Sequence, residues 1–364
     1  MAQKVRAAVL VAASKIEMRE FPMPEIGRDD ALLKIELAGV CGTDPKRYEG
    51  KIKATAPFPV IMGHEILGRI AKIGDIASKR MGVKEGDRVV AESMVRCAYC
   101  SHCITGDYRF CENPRGYGYN VSATVPPYLW GAYAEYMYLA PGSIVHKISE
   151  NVPAKAGVLI NAVFADAFRW GRLEGGFCIG DAVVIQGVGQ QGLCQVIVGK
   201  ESGCNPIIAT GLSKDVERFK LAKEFGADYT IDVEKVNVVD KVKEITGGKM
   251  ADVVVDVAGS WKSISVSIDL VKKQGRLVLA TIVGEETLTP IATDTLARRD
   301  ITIVGVFSAD YRSMGPSIKL VESGKYAIEK IVSHVLPLDQ AERAVQMAGG
   351  YFKDIYPTKV ILQP

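Results

Sequence analysis

Hydrophobic positions follow two different rhythms along the chain. Before about Val145, short apolar runs are separated by glycine and proline, which is the pattern of strands joined by turns. We therefore predict that the first part of the chain is a compact, strand-rich domain. Its predicted strands begin near Lys4 and continue with 31–38, 67–73, 87–91 and 132–139, and loops are predicted at Pro57, Pro59, Pro126 and Pro127.

After Pro153 the rhythm changes to apolar strands that alternate with stretches of helical spacing. Continuous apolar strands of this kind are typical of a parallel sheet that helices cover on both faces. The middle of the chain is therefore predicted to be a doubly wound α/β domain. Its predicted strands are 182–186, 206–210, 251–257 and 276–281. Its first predicted helix ends near Glu201, and its second spans 215–225.

Beyond Phe307 the pattern is mixed again, with a predicted helix near 340–347 and a lone closing strand at 358–362. Because an isolated strand is not stable by itself, we expect it to rejoin the first sheet. The predicted division is a first domain of residues 1–158, a second of 159–305, and a return of 306–364 to the first.

Composition narrows the possible partners. With 45 basic and 42 acidic side chains among 364 residues, the formal charge is only +3, and no long run of like charge occurs. This balance argues against nucleic acid or an anionic membrane as a partner. The apolar run 7–13 is too short for a secretory signal or a membrane span. We expect a soluble protein, and its clustered thiols indicate a reducing compartment, the cytoplasm.

Four of the eight cysteines crowd into one short segment. Cys97, Cys100, Cys103 and Cys111 have the spacing C-x2-C-x2-C-x7-C, which lets four thiolates reach one tetrahedral metal ion. An iron–sulfur cluster is disfavoured because the Cys-Pro run of two-cluster ferredoxins is missing. We predict a structural zinc that organises a lobe at about 92–115 and performs no chemistry.

A glycine motif opens the second domain. Gly187, Gly189 and Gly192 form G-x-G-x-x-G, with Gln190 and Gln191 at its last two variable positions. The motif directly follows a predicted strand and begins a helix, which is the context that a dinucleotide site requires. We therefore predict that the pyrophosphate of a dinucleotide lies at the amino end of this helix.

The end of the next strand bears on the choice of coenzyme. Gly211 stands at the strand end where dinucleotide folds that bind NAD place an acidic residue to accept from the ribose hydroxyls, and Ser213, Lys214 and Arg218 follow it. Without that carboxylate a 2′-phosphate is not repelled, and these three residues are able to bind it, so NADP is favoured over NAD. The alternative is that Lys214 and Arg218 are only solvated charges on a helix face.

Two short segments of the first domain offer a second metal site. Cys41 precedes Thr43, and His64 is followed directly by Glu65. A thiolate, an imidazole and a neighbouring carboxylate form a plausible zinc site with one position open for substrate. Each segment alone is ordinary.

Taken in order, the Cys41 and His64 segments, the cysteine lobe and the glycine motif resemble the zinc-containing medium-chain alcohol and polyol dehydrogenases over essentially the whole chain. The resemblance implies a Rossmann coenzyme domain and a GroES-like catalytic domain. It also implies hydride transfer between an alcohol and NAD or NADP, in a homodimer or homotetramer. By this resemblance Cys41 and His64 are catalytic zinc ligands, and Thr43 contacts the substrate alcohol. Glu65 either supports these ligands without binding the metal or binds it in alternation with another ligand. The strand ends at Ala258, Thr281, Val283 and Phe307 are expected to hold the nicotinamide.

Two positions depart from the family pattern. Lys46 replaces a histidine that often relays the proton, and lysine relays a proton only when its pKa is depressed. It is otherwise a solvated surface charge. The segment that should supply a third zinc ligand contains only Asn161 and Asp166 as polar candidates. Glu65, Asn161 or Asp166 completes the shell, or the catalytic metal is held loosely or lost.

The substrate is not named by these features, and two other functions compete. Several basic and aromatic residues either line a cleft for an extended substrate, or the aromatic residues pack the loops and the basic residues face water. One rival is a binding protein that uses the cysteine lobe, although the lobe lacks a basic face. The other is a zinc-independent enone or quinone reductase of the same fold, which would lack both metal motifs. The basic and aromatic residues that would line such a cleft are Lys46, Arg47, Lys51, Lys53, Tyr117, Tyr119, Tyr128 and Trp130.

Overall fold

The structure is a computed structural model that describes residues 4–52, 58–284 and 287–364. The chain forms two compact units, one of residues 1–162 with 318–364 and one of residues 163–317. We call them the first and the second unit. Lys53 and Pro57 lie outside the described residues. Within the described ranges, no helix is both long and apolar enough to span a bilayer.

The beginning of the chain is strand-rich, as its short apolar runs predict. The strand predicted at 132–139 starts only at Tyr136, and before it Ala134 forms a single isolated bridge with Ala7, while the Tyr133 amide donates to the Met62 carbonyl at 2.9 Å. The elements are β1 Lys4–Ala12, β2 Lys15–Pro22, β3 Ala31–Gly39, α1 Thr43–Tyr48, β4 Val60–Ile61, β5 Glu65–Ile73, α2 Asp75–Met81, β6 Arg88–Ala91, β7 Met94–Val95, α3 Ser101–Ile104, β8 Arg115–Gly116, β9 Tyr136–Leu139, β10 Val145–Lys147 and α4 Ala154–Gly157.

The middle of the chain alternates between strands and helices. Wide helical turns at Ile160–Phe164 and Phe168–Glu174 flank its first short helix, and the backbone is kinked at Asn161 and Ala162. The elements that follow are α5 Ala165–Ala167, β11 Val183–Gln186, α6 Gln190–Glu201, β12 Ile207–Gly211, α7 Val216–Glu224, β13 Tyr229–Asp232, α8 Val238–Ile245, β14 Ala251–Asp256, α9 Trp261–Leu270, β15 Val271–Leu279, α10 Thr293–Arg299, β16 Thr302–Gly305 and α11 Tyr311–Glu322.

The end of the chain adds β17 His334–Pro337, α12 Ala341–Ala348 and β18 Val360–Gln363. The closing strand pairs antiparallel with β3, where Ile361 lies opposite Gly39. The prediction that the last strand rejoins the first sheet is therefore confirmed.

The main sheet of the first unit has the strand order β10-β6-β5-β3-β18-β17, with β9 also paired to β3. Strand β3 is central, and its carboxyl end lies between the start of β5 and the end of the chain. Buried aliphatic and aromatic side chains of this sheet and of β1 and β4 form one continuous core. Residues that are distant in sequence therefore meet at the carboxyl end of β3.

The sheet of the second unit is parallel throughout, with the order β13-β12-β11-β14-β15-β16. The order reverses between β11 and β14, and open α/β sheets bind ligands outside the carboxyl ends of the strands at such a reversal. The predicted doubly wound fold is confirmed. The glycine motif follows β11, directly at the reversal.

Candidate functional site

Three potential metal ligands meet at the carboxyl end of β3. Cys41 follows this strand, and Glu65 is the first residue of β5, whose pairing sets Gly39 opposite Glu65. The ligand atoms of Cys41, His64 and Glu65 all lie within 4.8 Å of one another. We call these three residues the candidate metal centre.

Gly39 makes room for the glutamate. The Glu65 side chain crosses directly over this glycine, so a Cβ atom at residue 39 would overlap Glu65 Oε2 and lie 2.8 Å from the Glu65 Cβ. Any side chain at this position would displace the carboxylate. The sequence alone gave no reason to select Gly39, because its role depends on the register between β3 and β5.

A lysine from the end of the chain holds one oxygen of this carboxylate. Lys359 is 1% exposed, and its ammonium group forms an ion pair with Glu65 Oε2 and donates to the carbonyl of Val40 at 3.0 Å. The other oxygen, Glu65 Oε1, is buried and has no hydrogen-bond partner among the residues that the structure describes. One carboxylate oxygen is thus fixed, while the second is available to a cation.

The surroundings of His64 favour positive charge. Its Nδ1 atom lies 3.6 Å from Asp44 Oδ1, and the other oxygen of Asp44 accepts hydrogen bonds from the Cys41 amide and the Tyr133 hydroxyl, each at 2.8 Å. Burial lowers the pKa of His64, but the charges of Asp44 and Cys41 outweigh it and raise the pKa to about 9. A cation bound here would meet an electrostatically negative cluster.

These residues fit a zinc ion. A thiolate, an imidazole and a carboxylate are the ligands that Zn²⁺ prefers in catalytic sites, where three protein ligands leave one position for substrate. Glu65 Oε1, which is buried and has no hydrogen-bond partner among the described residues, is the atom of this residue that would serve as a third ligand. The side-chain amide nitrogen of Asn161 donates to the carbonyls of His64 and Ala91 at 3.3 and 2.9 Å. Asp166 belongs to the second unit, where it accepts from Gln191 at 3.4 Å.

Thr43 and Tyr119 place two hydroxyl groups beside the centre. Their oxygens are 3.1 Å apart, and the Tyr119 hydroxyl lies 2.9 Å from His64 Nε2. Burial, followed by the charges of Cys41 and Asp44, raises the pKa of Tyr119 well above its ordinary value. Lys46 is half-buried on α1, and burial lowers its pKa against the charges of Cys41 and Glu49. The pKa of Lys46 is thus lowered, which is the direction that a proton-relaying lysine requires.

The expectation that Arg47 faces water is wrong. This side chain is 2% exposed, and its guanidinium group donates to the carbonyls of Gly118 and Tyr119. Tyr117 and Trp130 are buried, so these aromatic residues pack the loop rather than line an open cleft. Sequence spacing could not show this, because Arg47 packs against a loop some seventy positions away.

The cysteine lobe brings its four thiols together. The sulfur atoms of Cys97, Cys100, Cys103 and Cys111 lie within 4.8 Å of one another, and none forms a disulfide. The 3.8 Å between the sulfurs of Cys97 and Cys103 matches two thiolates on one tetrahedral zinc, for which bonds of about 2.3 Å require about 3.8 Å. Burial raises the pKa of Cys97, but hydrogen bonds from the amides of Tyr99 and Cys100 and with the thiols of Cys100 and Cys111 together lower it to about 6.

The glycine motif forms a tight turn between β11 and α6. Gly187 has a φ of +99°, which favours glycine, and a Cβ atom there would approach the Ala258 Cα at 2.8 Å. Gly189 begins α6 with open space around it, whereas a Cβ at Gly192 would overlap the carbonyl of Gly187. The amino end of α6, with Gln190 and Gln191 in its first turn, is therefore open to a phosphate group.

Acidic side chains surround the end of β12. A side chain at Gly211 would collide with Val188 of the glycine motif, which explains the missing carboxylate. Ser213 donates from its amide to Glu234 at 2.8 Å and from its hydroxyl to Asp232 at 2.7 Å. Arg218 pairs with Asp215 at 2.7 Å, and Lys214 is exposed. Two of the three groups expected to bind a 2′-phosphate are thus paired with carboxylates.

The remaining coenzyme candidates lie at strand ends of the second unit. The Ala258 amide donates to Asp256 at 3.2 Å, directly after β14. Thr281 and Val283 follow β15 and are half-buried, and Phe307 follows β16 with 47% of its surface exposed. All four lie beyond the carboxyl ends of parallel strands, where open sheets bind ligands.

Comparisons with known proteins agree with this architecture. Residues 27–150 match the model of the alcohol dehydrogenase GroES-like domain, and residues 192–323 match that of the zinc-binding dehydrogenase. A probable alcohol dehydrogenase of Mycobacterium tuberculosis is 34% identical over 99% of this chain and 98% of its own. An erythritol/L-threitol dehydrogenase of Mycolicibacterium smegmatis is 29% identical over 96% of this chain and 95% of its own length.

A solved structure shows the same fold over the full length. The crystal structure of an alcohol dehydrogenase from Thermotoga maritima superposes with a TM-score of 0.89 at 26% identity and covers 100% of both chains. The full-length relative at 34% identity shows the family, and both domain models lie within it. The chain therefore belongs to the zinc-containing medium-chain alcohol dehydrogenase family.

Proposed function

We propose that this chain interconverts an alcohol and an aldehyde or ketone, with NAD or NADP as coenzyme, at a zinc ion held by Cys41, His64 and Glu65. The observation that carries the proposal is the buried, unpaired Glu65 Oε1, which completes a donor set of thiolate, imidazole and carboxylate. When bound, Zn²⁺ supplies a Lewis acid that lowers the pKa of an alcohol. NAD or NADP, when bound, would supply the hydride acceptor.

The side chains around the centre handle the proton. Thr43 Oγ1 lies on the first turn of α1 and is the hydroxyl proposed to accept the proton of the alcohol. Lys46 is three residues further along the same helix, and its lowered pKa suits it to pass the proton outward. Asp44 orients the site by accepting hydrogen bonds from Cys41 and Tyr133.

The second unit is proposed to bind the coenzyme. Gly187, Gly189, Gln190, Gln191 and Gly192 would hold the pyrophosphate at the amino end of α6. Gly211, Ser213, Lys214 and Arg218 would surround the adenosine ribose, and Ala258, Thr281, Val283 and Phe307 the nicotinamide. The substrate is a small alcohol, and the relatives that act on erythritol, threitol and sorbitol support the inclusion of polyols.

The decisive experiment compares the parent with Cys41→Ser in an assay of alcohols and polyols with NAD and with NADP. We expect the parent to hold two zinc ions per chain, and the variant to hold one and to lose oxidation by at least a hundredfold. Cys178→Ser, at an exposed cysteine of the second unit, is the matched control and should leave both quantities unchanged. Full activity in Cys41→Ser would refute the zinc mechanism.

We also propose that the chain assembles as a homodimer or homotetramer in the cytoplasm. Strand β16 ends the sheet of the second unit, and such an edge offers unpaired backbone groups to another chain. Leu288, which precedes this strand in sequence, is 92% exposed. Light scattering should give two or four times the mass of one chain. The compartment follows from the four lobe thiols, which bind metal only when reduced.

A further inference from the structure

The Tyr119 hydroxyl is the polar group next to the candidate metal centre to which the proposed mechanism gives no task. It lies 2.9 Å from His64 Nε2 and 3.1 Å from Thr43 Oγ1, and the tyrosine and histidine rings are 4.4 Å apart. Unlike Tyr117 and Tyr133, which are fully buried, Tyr119 is only half-buried. It is therefore accessible from one side.

The loop that carries this tyrosine is fixed by its packing. Gly118 has a φ of +74°, and a Cβ atom there would lie 2.7 Å from the carbonyl carbon of Gly63, the residue before His64. The Gly118 amide donates to the carbonyl of Trp130 at 2.7 Å. Two glycine backbones in direct contact thus set the separation between the phenol and the imidazole.

Arg47 holds the same loop from the other side. Its buried guanidinium group donates to the carbonyls of Gly118 and Tyr119 and lies over the Tyr119 ring, 5.5 Å from its centre. A buried arginine that satisfies two carbonyls restricts the loop, because its movement would leave a charge unpaired. The phenol is therefore a preorganised group and not a mobile one.

When His64 binds a metal, it can no longer accept a hydrogen bond from the Tyr119 hydroxyl. If Nε2 binds the metal, its lone pair is no longer available; if Nδ1 binds it, Nε2 carries a hydrogen and becomes a donor to Tyr119. In both cases the Tyr119 hydroxyl must donate to Thr43 or to a ligand beside it. Two hydroxyl groups about 3 Å apart are then presented to the substrate.

From this geometry we propose that Tyr119 is a specificity-determining residue that binds the second hydroxyl of a vicinal diol. The inference rests on the proposed alcohol dehydrogenase function, in which the first hydroxyl is the one beside Thr43. Neighbouring hydroxyls of a diol are separated by about the distance between two hydrogen-bonding oxygens, so both can be satisfied together. A monohydric alcohol would leave the Tyr119 contact unused.

The test uses Tyr119→Phe, which keeps the ring and removes the hydroxyl, with propane-1,2-diol and propan-2-ol as substrates that differ by one hydroxyl. A neutral hydrogen bond of this type corresponds to a factor of roughly three to ten. We expect kcat/KM for the diol to fall by that factor relative to the monohydric alcohol. The Kd of propane-1,2-diol, measured by calorimetry without coenzyme, should weaken similarly, with two zinc ions retained.

The control is Tyr229→Phe, at a half-exposed tyrosine on β13 of the second unit. Equal effects of Tyr119→Phe on both alcohols, no effect on either, or loss of zinc would overturn the assignment. If the parent oxidises neither alcohol, the proposed function fails instead. The calorimetric comparison still decides the role of Tyr119 in that case, because an unchanged Kd for the diol would refute it.

Discussion

At the scale of single residues, Gly39 decides where the Glu65 carboxylate lies. The two residues face each other across β3 and β5, and the glutamate passes through the space that a side chain at residue 39 would fill. This glycine has no chemistry of its own, but it shapes the candidate metal centre. Because it has no side chain, the Glu65 carboxylate can lie close to His64 and Cys41.

We predict that Gly39→Ala removes the catalytic zinc and spares the structural one. The added methyl group overlaps Glu65 Oε2 and therefore displaces the buried carboxylate from its present position. Elemental analysis should find one zinc per chain instead of two, with alcohol oxidation reduced at least tenfold. Gly315→Ala, at a site with open space on α11, is the control. Retention of two zinc ions in Gly39→Ala would show that Glu65 is not a ligand.

Lys359 supports the same carboxylate by charge. Lys359→Met should destabilise the zinc-free protein by roughly 3 to 5 kcal/mol, because it leaves a buried carboxylate without its partner. Zinc should recover part of this loss, since the metal neutralises the charge. The double variant Lys359→Met/Glu65→Gln should regain stability but bind only one zinc. Denaturant unfolding with and without zinc measures these differences; a single variant as stable as the parent would exclude the ion pair.

At the scale of elements, sequence predicts those parts of the site that are local. The cysteine lobe and the glycine motif could be predicted because each function resides in the spacing of one short segment. Glu65, Gly39 and Lys359 come together only through the register of β3 with β5 and β18, which no single segment encodes. The kink at Asn161, where the side-chain amide donates to the Ala91 carbonyl, is likewise not encoded by local spacing.

The end of β13 is the element that opposes a 2′-phosphate. Asp232 and Glu234 accept both hydrogen bonds of Ser213 and add negative charge beside the expected ribose site. We predict that Asp232→Asn/Glu234→Gln raises the affinity for NADP relative to NAD by about tenfold, because repulsion falls and the Ser213 donors are released.

Fluorescence titration with both coenzymes measures this ratio. Glu217→Gln, which removes an exposed carboxylate of α7 that pairs with Lys220, is the control for net charge and should leave the ratio nearly unchanged. Equal gains for NAD and NADP in the double variant would mean that these carboxylates act only as diffuse charge and not on the 2′-position.

At the scale of the whole molecule, both metal clusters belong to the first unit and the glycine motif to the second. We therefore expect metal binding to support the fold of the first unit more than that of the second. The lobe has almost no apolar core, since its buried cluster consists of the cysteines with Tyr108 and Ile144. The parallel sheet of the second unit is packed with aliphatic residues from β11 to β15.

We therefore predict that zinc removal by a strong chelator acts on one unit only. Amide hydrogen exchange should rise at residues 92–115 and at the junction of β3 with β5, because structural zinc replaces a hydrophobic core. Amides of β11, β12 and β14 should keep their protection, and added coenzyme should increase it at the glycine motif with or without zinc. Mass spectrometry of peptides resolves these regions. Loss of protection in β11 to the same extent as in the lobe would mean that the two units do not unfold independently, and that the metal stabilises the entire chain.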